Sequence, residues 1–179
     1  MREFSIIAAI SKKDNGIGKN GNLPWNIKED LQFFQKITKK TIGPNKYNAI
    51  IMGRNTFYSL NNTPLPGRLN ICISSDYRKY NDMFADKGNI KFYSSLQVAL
   101  DDISNNTNIE KIFVIGGELL YNEAILHEKC NELFINEVNT DIVCDRFFPT
   151  IDTTRFELLN SFNLCKNVDS LHYLRRSNV

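Results

Sequence analysis

The chain has no CxxC pair and no apolar run long enough to span a bilayer, and each absence removes a class of function. Its four cysteines, Cys72, Cys130, Cys144 and Cys165, are scattered, three of them inside strand-like runs, so reduced thiols are expected. The two histidines, His127 and His172, have no ligand-like partners nearby, and no metal site is expected. The one GxGxxG string, "GIGKNG" at residues 16–21, runs into "NLPWN" and does not directly open a helix, so the ordinary dinucleotide fingerprint is missing. The opening "MREFSIIAAIS" is too short to cross a membrane and lacks a small-residue cleavage site. It reads as a first strand, and a cytoplasmic location is expected. Charge of one sign is also lacking: the net is +2, which gives no electrostatic reason to invoke nucleic acid or an acidic membrane surface. The clusters "ITKK" and "YRKY" read as solvated faces. No internal repeat, linker or low-complexity tract interrupts the 179 residues, a length that suits one domain, 1–179.

What is present alternates. "FSIIAAIS", "YNAIIM", "LNICIS", "IKFYS" and "KIFVIG" are β-rich, and helical patterns fall near residues 27–38, just after Thr56, near 95–103 and near 118–127. Such alternation predicts parallel strands joined by crossover helices. From residue 131 the runs "ELFINEV", "RFELLNSF" and "LHYLRR" follow one another without helices, which predicts an antiparallel C-terminal edge.

Three of the parallel-type strands end alike. "AIIM" passes into "GRNT", "NICI" into "SSD" and "IFVI" into "GGE", and the carboxyl ends of strands are where open α/β sheets bind ligands. Gly116 and Gly117 stand just before a helix, where a pyrophosphate could approach the backbone, or where two elements simply pack closely.

The stretch "GIGKNGNLPWNIKEDLQFF" holds the single tryptophan. Asn26 with Glu29 three residues on predicts a capping box and a helix from Ile27. Ile27, Asp30, Leu31, Phe34 and Ile37 then share one stripe, with Asp30 its only charged member. A carboxylate facing an apolar wall costs several kcal/mol unless paired or protonated. It pairs with a structural arginine or caps a loop, or it receives a polar ligand. Gly16, Gly18 and Gly21 before it form either a lid or a surface turn.

Taken in order and spacing, "GIGKNGNLPW" with Asp30, "IIMGRNT", "PLPGR", "FVIGGELLY" and "DRFFP" closely resemble the dihydrofolate reductase family, from about residue 4 to the end. The resemblance implies a mostly parallel eight-stranded central sheet with flanking helices. It also implies NADPH-dependent reduction of 7,8-dihydrofolate, with hydride delivered to C6 and a water protonating N5. Asp30 matches the acid that binds the pterin 2-amino group and ring nitrogen, and Leu23 and Tyr121 complete the catalytic set. Arg68 matches the arginine that clamps the glutamate carboxylate. Leu31, Phe34, Leu60 and Leu65 would wall the aminobenzoyl group, and Ile7, Ala8, Ala9, Ile115 and Tyr121 would surround pterin and nicotinamide. The cofactor is expected at Ile17, Gly21, Gly53, Arg54, Asn55, Thr56, Ser74, Ser75, Gly116, Gly117, Glu118, Leu119 and Leu120, with Arg54 the candidate for the 2′-phosphate.

The chain departs from the family pattern at four positions. Phe57 stands where tryptophan is common, Leu119 where a polar or basic residue is, Asp76 follows the two serines, and Asn136 stands where threonine is usual. Asn136 shares a strand face with Phe134 and Val138, which makes it either a polar group on the buried side of the strand or an edge asparagine in solvent; placed beside Asp30, its amide can donate to the carboxylate. The implied partners are dihydrofolate and antifolates such as methotrexate, for a monomer with or without fusion to thymidylate synthase. Two rivals stay open: a same-fold reductase of a riboflavin-pathway pyrimidine, which would not need Asp30 and Arg68, and a folate-binding protein without turnover.

Overall fold

The computed structural model describes residues 1–177. One eight-stranded sheet organises the chain in the order β5-β4-β3-β6-β1-β7-β10-β9. Its strands are β1 (Phe4–Ser11), β3 (Tyr47–Gly53), β4 (Arg68–Ile73), β5 (Ile90–Tyr93), β6 (Ile109–Gly116), β7 (Cys130–Val138), β9 (Phe156–Cys165) and β10 (Val168–Arg175). Helices α1 (Lys28–Lys39), α2 (Arg54–Ser59), α3 (Tyr77–Met83), α4 (Leu96–Ile103) and α5 (Glu118–Leu126) connect and flank them. The central strands are apolar on both faces because both are covered. Neighbouring residues serve opposite layers: Ile6 and Ile51 join the cluster that holds Leu96, Leu100 and Ala124, while Ile7 and Ile50 join that of Phe57, Phe92 and Phe113.

The parallel region extends one strand further than the sequence pattern predicts. β7 runs parallel to β1, with Ala9 opposite Asn136, and the direction reverses only at β10, where Ser170 faces Asn136. The antiparallel edge is therefore β10 and β9. β7 directly follows α5, so the preceding crossover makes it parallel. A small second sheet pairs β2 (Gly16–Gly18) with β8 (Arg146–Phe147) and ties the glycine-rich loop to the far end of the chain.

Two helix starts differ from expectation. α1 begins at Lys28 with Ile27 as its N-cap, in extended conformation and without a side-chain cap; Asn26 lies one residue too early to reach the first free amides, so the capping box does not form. The other end of α1 is held instead, because Asn48 Nδ2 donates to the carbonyls of Thr38 and Lys40, each at 2.9 Å. α2 begins at Arg54, immediately at the end of β3, which aims its first residues over the sheet's carboxyl edge. Helix α3 is absent from the sequence reading, since no buried residue marks a stripe in "YRKYNDM".

Candidate active site

At the carboxyl ends of β1, β3, β4 and β6 lies a cleft of about 1160 Å³, roofed by the loop of β2 and walled by α1. Every site residue expected from the sequence lines it, with one exception, Arg68.

Asp30 is buried at 6% exposure on the inner face of α1, in a stripe otherwise made by Phe34 and Ile37. Leu31, from the same stripe, is exposed because it faces the open cleft rather than the core. Asn136 stands opposite on β7, buried at 3%, and its Nδ2 donates to Asp30 Oδ1 at 2.8 Å. Burial raises the Asp30 carboxyl above its ordinary value, and donation from Asn136 works against that shift. The buried indole N–H of Trp25 also favours the charged form, although it falls outside hydrogen-bond geometry. Asn136 keeps its Oδ1 buried without a partner among the described residues. Among the described residues no arginine pairs with Asp30, so the structural-arginine reading does not hold.

Tyr121, from α5, is buried and donates its hydroxyl to the Ile7 carbonyl at 2.8 Å, which fixes the ring under the end of β1. Gly116 has φ +123, and a Cβ there would press on that ring at 3.2 Å, so a side chain is excluded on two counts. Gly117 lies beside Thr56 Oγ1, and with Gly53 it leaves bare backbone where the three strand ends converge.

The second wall is more open. Arg54 Nη1 donates to Asn62 Oδ1 at 2.8 Å, its guanidinium lies 4.5 Å above the Tyr80 ring, and its buried Nε has no partner among the described residues. Tyr80 itself stacks on Phe92 at 5.3 Å. The "YRKY" cluster is thus more than a solvated face: its second tyrosine is a platform for the cation. The Tyr77 and Tyr80 spacing, one helical turn apart, was the signal that could have shown it. Arg146, near Glu118 at 3.8 Å, and Asp145 also reach the cleft on β8 and were not anticipated as site residues.

Arg68 lies at the opposite end of α1 from Asp30. It is buried at 5%, with Nη1 on Thr38 Oγ1 and Nε on the Pro66 carbonyl, both at 3.0 Å, and no carboxylate pairs with it among the described residues. Burial lowers its pKa from the usual arginine value. Thr38 is one turn beyond Phe34, which lines the cleft's apolar end, and Pro66 follows Leu65, which lines it too and whose backbone is held by the Asn70 amide.

Comparison with known proteins agrees with this geometry. A family model described as dihydrofolate reductase matches residues 3–174. The chain is 34% identical over 176 residues to a dihydrofolate reductase of Aedes albopictus, covering 96% of this chain and 88% of that one. It is 36% identical over 153 residues to a dihydrofolate reductase of Drosophila melanogaster, covering 84% and 81%. It is also 39% identical over 170 residues to a bifunctional dihydrofolate reductase-thymidylate synthase of Arabidopsis thaliana; that match covers 92% of this chain and 29% of the longer protein.

Fold and site together define an α/β oxidoreductase that works with a nicotinamide cofactor. The chain belongs to the dihydrofolate reductase family, whose reaction is the reduction of dihydrofolate to tetrahydrofolate.

Proposed function

We propose that this chain reduces 7,8-dihydrofolate to 5,6,7,8-tetrahydrofolate with NADPH, through hydride transfer to C6 and protonation at N5. The observation that carries this reading is the buried Asp30–Asn136 pair at the inner end of the cleft. A desolvated carboxylate opposite the pterin's 2-amino group and ring nitrogen makes a two-point, charge-assisted contact. Its raised pKa lets Asp30 hold a proton nearer to working pH, and a water relays that proton to N5. Leu23 and Ile17, on the loop over the cleft, exclude bulk water from the reacting edge.

The cofactor's nicotinamide supplies the hydride when bound. This chain's residues fit it. The glycine backbone at 116 and 117 admits a pyrophosphate at the start of α5, Thr56 and Ser74 offer hydroxyls, and the Arg54 guanidinium, with an unpartnered Nε, favours a 2′-phosphate. Asp76, also in the wall, opposes that preference, and the NADPH reading rests on Arg54. Arg68 is assigned the glutamate α-carboxylate of the folate tail at the cleft's apolar end. Antifolates such as methotrexate would occupy the pterin end. Free thiols at all four cysteines support a cytoplasmic location. The monomeric form, and any link to a thymidylate synthase such as the Arabidopsis relative carries, belong to the same reading.

The test is oxidation of NADPH in the presence of dihydrofolate. Turnover that methotrexate abolishes supports the reading. Folded protein that binds dihydrofolate without turnover would select a binding role, and indifference to dihydrofolate would select a same-fold reductase of another substrate.

A further inference from the structure

Two Asn-Gly pairs occur within seven residues of the loop over the cleft, Asn15-Gly16 and Asn20-Gly21, and the structure gives them opposite surroundings. Gly16 is closed in: its amide donates to Asp14 Oδ1 at 3.0 Å, a Cβ there would collide with Cys144 Sγ, and its strand pairs with β8. Asn15 is further tied by its own amide to Ser11 and by its carbonyl to Phe148. Gly21 is open. Nothing lies within 4 Å of where a Cβ would be, and Asn20 is exposed. Asn20 at φ 51 and Gly21 at φ 78 form the two-residue turn between Lys19 and Asn22, which is held by that bridge, by the Asn20 amide on Asp145 Oδ2 at 2.9 Å and by a long bond from Asn22 Nδ2 to the Asn20 carbonyl at 3.4 Å.

We infer that Asn20 is a site of spontaneous deamidation that alters the loop over the cleft, and that Asn15 is protected. In the step, the Gly21 amide nitrogen loses its proton and attacks Asn20 Cγ. The new N–C bond forms as the Cγ–Nδ2 bond breaks, and ammonia leaves. Water then opens the succinimide at either carbonyl to give aspartate or isoaspartate. The attack requires residue 20 to leave its left-handed conformation, so the turn must open first. An exposed turn with one bridge opens far more readily than Asn15, whose backbone N–H and C=O are both bonded and whose following Gly16 begins a paired strand packed against Cys144. The chemistry therefore selects Asn20.

The product differs in charge where charge counts. Asn20, Asp145 and Arg146 all line the cleft, and a new carboxylate at residue 20 stands next to the Asp145 carboxylate that its own amide contacts. Like charges there loosen the loop from β8 and repel an anionic cofactor. The isoaspartate form also lengthens the backbone inside a two-residue turn and breaks the Lys19–Asn22 pairing. This consequence rests on the cofactor reading above; the site of modification does not.

The experiment ages the full chain in mildly alkaline buffer, digests it, and follows both Asn-Gly peptides by mass and by isoaspartate content. The expected result is conversion at Asn20 at least roughly tenfold faster than at Asn15, a ratio that a small difference in opening free energy supplies. Aged protein should show a roughly two- to fivefold higher KM for the cofactor, shrinking with added salt. Asn20→Asp should reproduce that shift at once, and Asn20→Ala should show no change with ageing. Conversion at Asn15 as fast as at Asn20, or none at Asn20 while an isolated peptide of the same sequence converts, would overturn the site. Full conversion without a change in cofactor KM would overturn the consequence, whatever the protein reduces.

Discussion

The two walls of the cleft hold their charges under opposite conditions. On the α1 and β7 side, Asp30 and Asn136 are nearly sealed from solvent and bonded to each other. On the α2 and β4 side, Arg54 is only part-buried and Ser75 and Asp76 are exposed. A desolvated charge interacts strongly and changes protonation with its neighbours, whereas an exposed one is screened by salt and solvent. The inner wall should therefore govern chemistry and pH response, and the outer wall affinity and salt response.

The sharpest way to break that division is Asp30→Asn. At neutral pH it should lower dihydrofolate turnover by roughly 10²- to 10⁴-fold, the usual scale for a lost acid–base group, with part of the rate returning in acid. Its stability should move the other way. Because burial raises Asp30, the native state retains the proton to higher pH than the unfolded chain, so stability falls as pH rises from the ordinary carboxylate range through the raised value. The asparagine variant has no such loss. It should melt higher than wild type at neutral pH and match it below the ordinary carboxylate range, as thermal melts across pH would show.

Next in size, Arg68→Leu should cost about 2–4 kcal/mol of dihydrofolate affinity, as when one member of a desolvated charge pair is removed. A dihydropterin without the glutamate tail should be almost unaffected. Equal losses for both ligands, measured by titration, would mean that Arg68 only holds the Thr38 end of α1. Asn136→Val should cost about 1–3 kcal/mol in transition-state binding by leaving Asp30 without its donor, while Asn136→Thr, which restores a hydroxyl, should stay within roughly tenfold of wild type. The smallest effect belongs to the outer wall. Arg54→Ala should weaken NADPH by about 1 kcal/mol, leave NADH nearly unchanged and flatten the salt dependence of KM. A pH-dependent loss there, or a salt-dependent one at Asn136, would erase the difference between the walls.

Much of this was legible before any coordinates, and the illegible parts share a cause. Strand and helix alternation follows from local periodicity, and Asp30 stands out because one carboxylate interrupts an apolar stripe. Alternation within "ELFINEV" gave the strand face of Asn136, and its match to the family's usual threonine position gave its neighbourhood. By contrast, Asn48 is a fully buried polar residue whose partners are the backbones of Thr38, Lys40 and Lys111 in other segments, and no local pattern records such a debt. The direction of β7 depends on a crossover, and β2 pairs with β8 across more than a hundred residues. Helix α3 buries no residue of its own, so its pattern has no stripe to read. Arg68 was expected, from the resemblance, as the clamp of a carboxylate, and sequence could not show that it is buried, sits outside the cleft lining and leans on Thr38.

The most direct test of the buried pair is the pH dependence of the hydride-transfer step, followed in single turnover with dihydrofolate, for wild type and Asn136→Val. The midpoint should lie above the ordinary carboxylate value in wild type and move higher still in the valine variant, because loss of the Asn136 donor disfavours the charged form of Asp30. Superimposable profiles for the two proteins would contradict the account.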